Sequence, residues 1–209
     1  MTRTIIATLL TLVSLFSLAQ AQDFVEGVHY QRLPEKLPTS YRGNEVGEIM
    51  EIFSYSCIHC FNLETFIQGW KQGKPDDIRF TLVPVLFNER QLPEARAYYV
   101  GEFLGLHDET HMAIYNEIHL NRTRLATDDR FASFFTRFGV SEEEYRNMAN
   151  SFAVNVRINQ AQRITQGGQV QGTPSLIVNG QYLVTGQMAG GNPRMFDVAE
   201  WLIRRDQNL

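Results

Sequence analysis

Residues Gly47–Gln72 read GEIMEIFSYSCIHCFNLETFIQGWKQ, and their pattern sets the fold. Gly47 to Tyr55 is apolar at successive positions, the pattern of a central strand buried on both faces. From Cys60 onward, Phe61, Leu63, Phe66, Ile67 and Trp70 recur near helical spacing. Ile78 to Phe87, IRFTLVPVLF, reads as the next strand. Cys57 and Cys60 therefore stand where a strand turns into a helix inside a βαβ pattern. They are the only two cysteines in the chain of 209 residues.

A lone Cys-x-x-Cys could lock the fold, hold a metal or perform redox chemistry. A disulfide over so short a loop gains little chain-entropy stabilisation, which argues against the first. Structural zinc usually takes four protein ligands, and only one cysteine pair exists. The strand-to-helix context favours the third, as a thioredoxin-like redox motif. The free N–H groups and dipole of a helix start favour an anion there, and the thiolate is the nucleophile of exchange. Cys57 takes that position and His59 is a nearby cation or donor. Cys60, one turn on, is expected to be the buried resolving thiol.

Outward from this stretch, the chain begins MTRTIIATLLTLVSLFSLAQAQDF. Arg3, an apolar core from Ile5 to Leu18 and the small-x-small Ala19-Gln20-Ala21 read as a secretory signal peptide, residues 1–21. The apolar part is shorter than the ~20 residues a membrane span needs. Cleavage would remove one cation and no acid, taking the net charge from −4 to −5. Mild acidity argues against a nucleic-acid partner. Export places the cysteines where disulfides persist.

Val28 to Leu33 is a candidate edge strand. From about Leu92 to Gln166 the sequence reads as successive helices with no strand, and Ser141 with Glu144 forms a capping-box pattern. Strand pattern returns in SLIV and QYLV around Asn179-Gly180, a strong hairpin signal, preceded by Gly172-Thr173-Pro174. An amphipathic helix, about Pro193 to Asp206, closes the chain. The fold class expected is α/β, thioredoxin-like with an inserted all-helical domain. Its parts would be residues 22–88, a helical insertion at 89–166, and residues 167–209.

The active-site segment, the helical block and the Thr-Pro plus VNGQY hairpin together resemble the DsbA family, bacterial periplasmic thiol:disulfide oxidoreductases. The resemblance implies a periplasmic enzyme that oxidises cysteine pairs in newly exported client proteins and is reoxidised by a DsbB-like quinone-linked membrane partner. It implies no small-molecule cofactor beyond the Cys57–Cys60 disulfide, and a monomer is expected. Carried over by residue, Cys57 is the nucleophile, Cys60 resolves, His59 tunes the thiolate and Pro174 is a cis-proline facing the pair. Glu51 is the buried acid beneath the site, relaying the Cys60 proton, and unpaired in so apolar a strand it should have a raised pKa. Thr173, Ile58 and Met188 would meet the substrate.

The sequence departs from the family where Ile58 replaces the usual Pro of the dipeptide and Thr173 the usual Val. No Lys follows in the strand after the active-site helix. Ile58 and Thr173 leave a disulfide isomerase or reductase on the same fold as the rival reading, and a metal-binding protein as a more distant one. Against an isomerase, no space for an oligomerising module lies between Gln22 and the first strand.

Two histidine features point elsewhere. His107-Asp108-Glu109-Thr110-His111 resembles a zincin helix, but Asp108 stands where the motif needs Glu. An exposed helix start is expected there, with His119 on the surface. The Asn121-Arg122-Thr123 sequon is assigned no role.

Overall fold

A computed structural model describes residues 23–208, so the leader expected at residues 1–21 lies outside the described residues. Five strands form one mixed sheet in the order β1-β5-β4-β2-β3. In chain order the elements begin with β1 (Gln31–Arg32), β2 (Gly47–Phe53), α1 (Ile58–Gly73) and β3 (Ile78–Pro84). Five helices follow: α2 (Leu92–Phe103), α3 (His107–His119), α4 (Asp128–Phe135), α5 (Glu142–Ala149) and α6 (Phe152–Gly167). The chain then returns to the sheet with β4 (Ser175–Val178) and β5 (Tyr182–Thr185), and ends in α7 (Gly186–Ala189) and α8 (Arg194–Gln207).

The apolar run Gly47–Phe53 is buried at every position. It lies inside the sheet, parallel to β3 on one side and antiparallel to β4 on the other. Its alternation divides the core. Ile49 joins Leu63 and Ile67 of α1 and Phe196, Leu202 and Ile203 of α8 on one face. Met50 and Ile52 join the helical block on the other, and Phe53, at the end of the strand, packs on Tyr98 and His111 of the same block. The Asn179-Gly180 turn has both residues at positive φ, 52° and 67°, as a two-residue type I′ hairpin requires. The edge strand expected over Val28–Leu33 is shorter, only Gln31–Arg32, paired antiparallel with β5. The segment around Met188 is the short helix α7, capped by Thr185 Oγ1 on the Met188 N–H.

β2 carries two fully buried acids, and the contrast between them locates the chemistry. Glu48 accepts bonds from Ser40 N–H and Oγ–H and from Thr81 Oγ–H, so its burial is compensated. Glu51 has a partner at neither carboxyl oxygen.

Gly47 opens β2 where the chain has no room for a side chain. A Cβ there would stand 2.7 Å from both Asn179 Oδ1 and Ile203 Cγ2, and Asn179 Oδ1 already accepts the Glu48 N–H. Gly47→Ala is expected to cost roughly 1–3 kcal/mol by overpacking. That is a fall of about 2–4 °C in Tm for each kcal/mol in a domain this size, measurable by thermal unfolding. An unchanged Tm would mean α8 gives way freely.

Candidate active site

The turn between β2 and α1 is held from three sides. The Cys57 N–H donates to Ser54 O at 3.1 Å. Glu94 of α2 reaches in and accepts from Ser54 Oγ–H at 2.8 Å and from the Ser56 N–H at 3.2 Å. His119 of α3 donates Nε2–H to Tyr55 O at 2.8 Å and stacks on Phe61.

Cys57 is the N-cap of α1, and its Sγ accepts the Cys60 N–H at 3.4 Å. As a thiol it donates to Thr173 O at 3.3 Å. Both cysteines are free thiols in this structure, Cys57 half-buried and Cys60 fully buried. A hydrogen bond from the Cys60 thiol is the largest influence lowering the Cys57 pKa to about 5, opposed by burial and supported by Thr173 and the backbone N–H groups of Cys60 and His59. Burial, the Cys57 sulfur and Glu51 push the Cys60 thiol far up. The hydrogen bond from Cys60, with the N–H groups of the helix start behind it, favours a thiolate at Cys57, and burial keeps Cys60 a thiol.

Pro174 follows a cis peptide bond from Thr173. Thr173 and Pro174 line an open groove of about 1010 Å³ with His59, Met188, Val28 and Asn192. Ile58, 47% exposed, presents an apolar side chain next to Cys57. The His59 side chain is exposed, and what reaches the Cys57 sulfur from it is the backbone N–H. Cys57 borders this groove through its contact with Thr173 O, whereas a second cleft, about 660 Å³ along β3, includes neither Thr173 nor Pro174. Glu51 lies in β2, its carboxyl held well above the usual carboxylate range first by burial and then by repulsion from Glu64.

Two expectations are corrected. The start of α3 is exposed at Asp108 and Glu109, as expected, but its inner face is not: His111 is buried, with Nε2 3.0 Å from Glu64 Oε1 and Nδ1 3.0 Å from Tyr55 Oη. His119 is no surface residue either, being partly buried against Phe61. Reading the sequence missed Glu64, Glu94 and Tyr55. The one available signal was Glu64 at Cys60 + 4, on the same face of α1. Among the described residues no three His, Cys, Asp or Glu side chains gather into a group that could hold a metal ion.

With this geometry in view, residues 77–202 match the family model of the DSBA-like thioredoxin domain. The chain is similar to the thiol:disulfide interchange protein DsbA of Pseudomonas aeruginosa, 31% identical over 204 residues, covering 97% of this chain and 96% of that protein. The Azotobacter vinelandii protein of the same name is 30% identical over 214 residues, covering 100% and 99%. Among solved structures, Pseudomonas aeruginosa DsbA superposes with a TM-score of 0.80 at 29% identity, over 88% of this chain and 95% of that one. The oxidoreductase DsbA of Xylella fastidiosa does so with 0.80 at 29% identity, over 88% and 98%.

Proposed function

The chain belongs to the DSBA-like thioredoxin domain family and is a thiol:disulfide oxidoreductase, and from that premise we propose that it runs as an oxidase, donating the Cys57–Cys60 disulfide to reduced exported proteins in the periplasm. The observation that carries this direction is the unequal placement of the two sulfurs: Cys57 half-buried on the free N–H groups of α1, Cys60 fully buried.

In the first step a client thiolate attacks Cys57 Sγ, the sulfur beside the groove. The Cys57–Cys60 bond breaks and its electron pair passes to Cys60. Cys60 is a poor leaving group as an anion in this environment, so it must gain a proton as it leaves. Glu51, neutral by burial and repulsion, is the donor we assign. In the second step the client's other thiolate attacks its own sulfur in the mixed disulfide, and Cys57 departs as a thiolate. The client is oxidised by two electrons and the pair is reduced.

A low pKa helps this second step more than it helps attack by Cys57. At neutral pH a thiol of pKa about 5 is roughly 30-fold more ionised than one near 8.5, but its intrinsic nucleophilicity falls by a similar factor. As a leaving group it keeps the whole advantage, which favours donating disulfides over reducing them.

Thr173 and Pro174 border the sulfur and hold the client backbone, with Ile58 and Met188 as apolar contacts and His59 as groove wall and N–H donor. The disulfide carries the electrons, so no small-molecule cofactor enters the cycle. A DsbB-like membrane quinone reductase is the reoxidant assigned, and the protein acts as a monomer.

Equilibration of the purified protein with glutathione buffers tests the direction. A potential near −120 mV, the value of a strong dithiol oxidant, is expected to the nearest few tens of mV. A value near −270 mV, that of thioredoxin, would place the chain with the reductases and isomerases.

A further inference from the structure

Two carboxyls are buried under the cysteines. Glu51 rises from β2 and Glu64 from α1, one turn beyond Cys60. Both are almost wholly inaccessible, and they repel each other when charged. In a low-dielectric interior two like charges so placed do not both ionise. Which one keeps the charge depends on what can solvate it.

The two surroundings differ sharply. Glu51 receives no hydrogen bond at either oxygen. Glu64 Oε1 has His111 Nε2 at 3.0 Å, and His111 Nδ1 has the Tyr55 hydroxyl at 3.0 Å. Tyr55 stays a phenol, its pKa pushed well up by burial. A neutral imidazole that accepts the Tyr55 Oη–H at Nδ1 carries its own hydrogen on Nε2, aimed at Glu64; the other tautomer donates from Nδ1 to Tyr55 and would need a protonated Glu64 as donor to Nε2. With an imidazolium, Nε2–H still points at Glu64. In the Nε2–H tautomer and in the imidazolium α3 supplies a donor to Glu64, and in no state does anything supply one to Glu51. The other titratable groups around the pair are Cys57, Cys60 and Lys71 of the α1 region, Tyr98 and Glu102 of α2, and His107 and Tyr115 of α3. Lys71 is the one cation among them acting on Glu51, and its influence is smaller than that of burial or of Glu64.

We propose that His111 is a positioning residue that assigns the single negative charge of this carboxyl pair to Glu64, and so keeps Glu51 protonated as the proton store for Cys60. This rests on the reading of Glu51 as that donor. When the Cys57–Cys60 bond breaks, the electron pair goes to Cys60 Sγ, the Glu51 proton moves onto it, and Glu51 is left as a carboxylate. Repulsion from the charge already on Glu64 then drives Glu51 to regain a proton from solvent, resetting the store. A helix of the inserted block thereby takes part in exchange without touching the client.

The test is carbon-13 observation of glutamate side-chain carboxyls in the full-length dithiol protein, with Glu51→Gln and Glu64→Gln assigning the signals. At neutral pH the Glu64 carbon is expected at its ionised position and the Glu51 carbon at its protonated one. In His111→Leu, which has no donor, the Glu64 signal should move to the protonated position; in His111→Gln, which keeps an N–H, it should stay ionised. A purely structural role for His111 would not produce this split. Glu64→Gln, which leaves His111 in place, should lower the Glu51 titration midpoint by roughly one pH unit, by removing the like charge. Native protein with Glu51 ionised, His111→Leu with Glu64 still ionised, or an unmoved Glu51 midpoint in Glu64→Gln each overturns the proposal. Should His111→Leu fail to fold, the Glu64→Gln midpoint decides alone. The donor reading fails separately: Glu51→Gln would then oxidise a client as fast as the native protein, whatever the carbon signals show.

Discussion

Cys57→Ser abolishes disulfide transfer to a reduced client, bringing the rate down to that of the uncatalysed reaction, while Cys60→Ser leaves the protein caught as a mixed disulfide. The asymmetry follows from burial. Cys57 is the only thiol with a path to solvent, since Cys60 is 0% exposed behind it. A serine hydroxyl cannot accept the client sulfur, and Cys60 cannot be reached in its place. In Cys60→Ser the half-buried sulfur at the helix start remains, held by the N–H of residue 60, a backbone group the substitution leaves intact. It still forms a bond to a thiol partner, but the group that would release that partner is gone. Thiol-specific alkylation followed by mass analysis distinguishes the cases: in reduced native protein Cys57 is modified at neutral pH and Cys60 is protected. Residual transfer above background in Cys57→Ser, or alkylation of Cys60 as fast as Cys57, would falsify this division of labour.

The parts of the site that could be read from sequence are those in which local pattern and chemistry coincide. The mainly apolar run of β2, broken only by Glu48 and Glu51, points to a central strand. Cys57 caps the helix that the spacing of Leu63 and Ile67 demands. Asn179-Gly180 can make only one kind of tight hairpin comfortably, and it does. Glu51 is named through the family resemblance; the strand pattern alone does not separate it from Glu48, which is buried in the same strand but finds partners in Ser40 and Thr81. The parts that escaped depend on contacts between distant residues. His111 lies 47 positions from Glu64 and 56 from Tyr55. The polar string His107-Asp108-Glu109-Thr110-His111 resembles a solvated face until its partners are known. A helix buries polar residues when a neighbouring element satisfies them, and sequence periodicity counts them as exposed. His59 shows a related limit. Its identity suggests a charged ring, yet what reaches the sulfur is its backbone N–H, which most other residues would supply equally. The side chain of position 59 lines the groove instead, where we propose that it acts.

Unfolding of the dithiol and disulfide forms across pH should show a gap that opens as pH rises. The Cys57 pKa is depressed from 9.0 to about 5 in the folded dithiol protein. Below pH 5 folded and unfolded chains both hold the proton, and the thiolate contributes nothing. Between pH 5 and pH 9 the unfolded chain binds more protons than the folded one, so stability rises with pH. Above pH 9 the contribution is complete, and it is lost again as pH falls through 5. At pH 7 the full linkage is two pH units, about 2.7 kcal/mol. Cys57 is only half-buried, so solvent screening reduces this to roughly 1–2 kcal/mol. The disulfide form has no thiolate and lacks the contribution. Glu51 acts oppositely: its raised pKa makes the folded chain hold a proton that the unfolded chain releases, which lowers stability above the ordinary carboxylate range. That cost falls on both redox forms and largely cancels in their difference. On a two-electron couple, 1–2 kcal/mol shifts the potential by about 20–40 mV toward a stronger oxidant. Parallel denaturant titrations of both forms from pH 4 to pH 9 measure the gap directly. A gap flat until about pH 8 would mean that Cys57 titrates as an ordinary thiol, and the helix start would then have no part in making the disulfide oxidising.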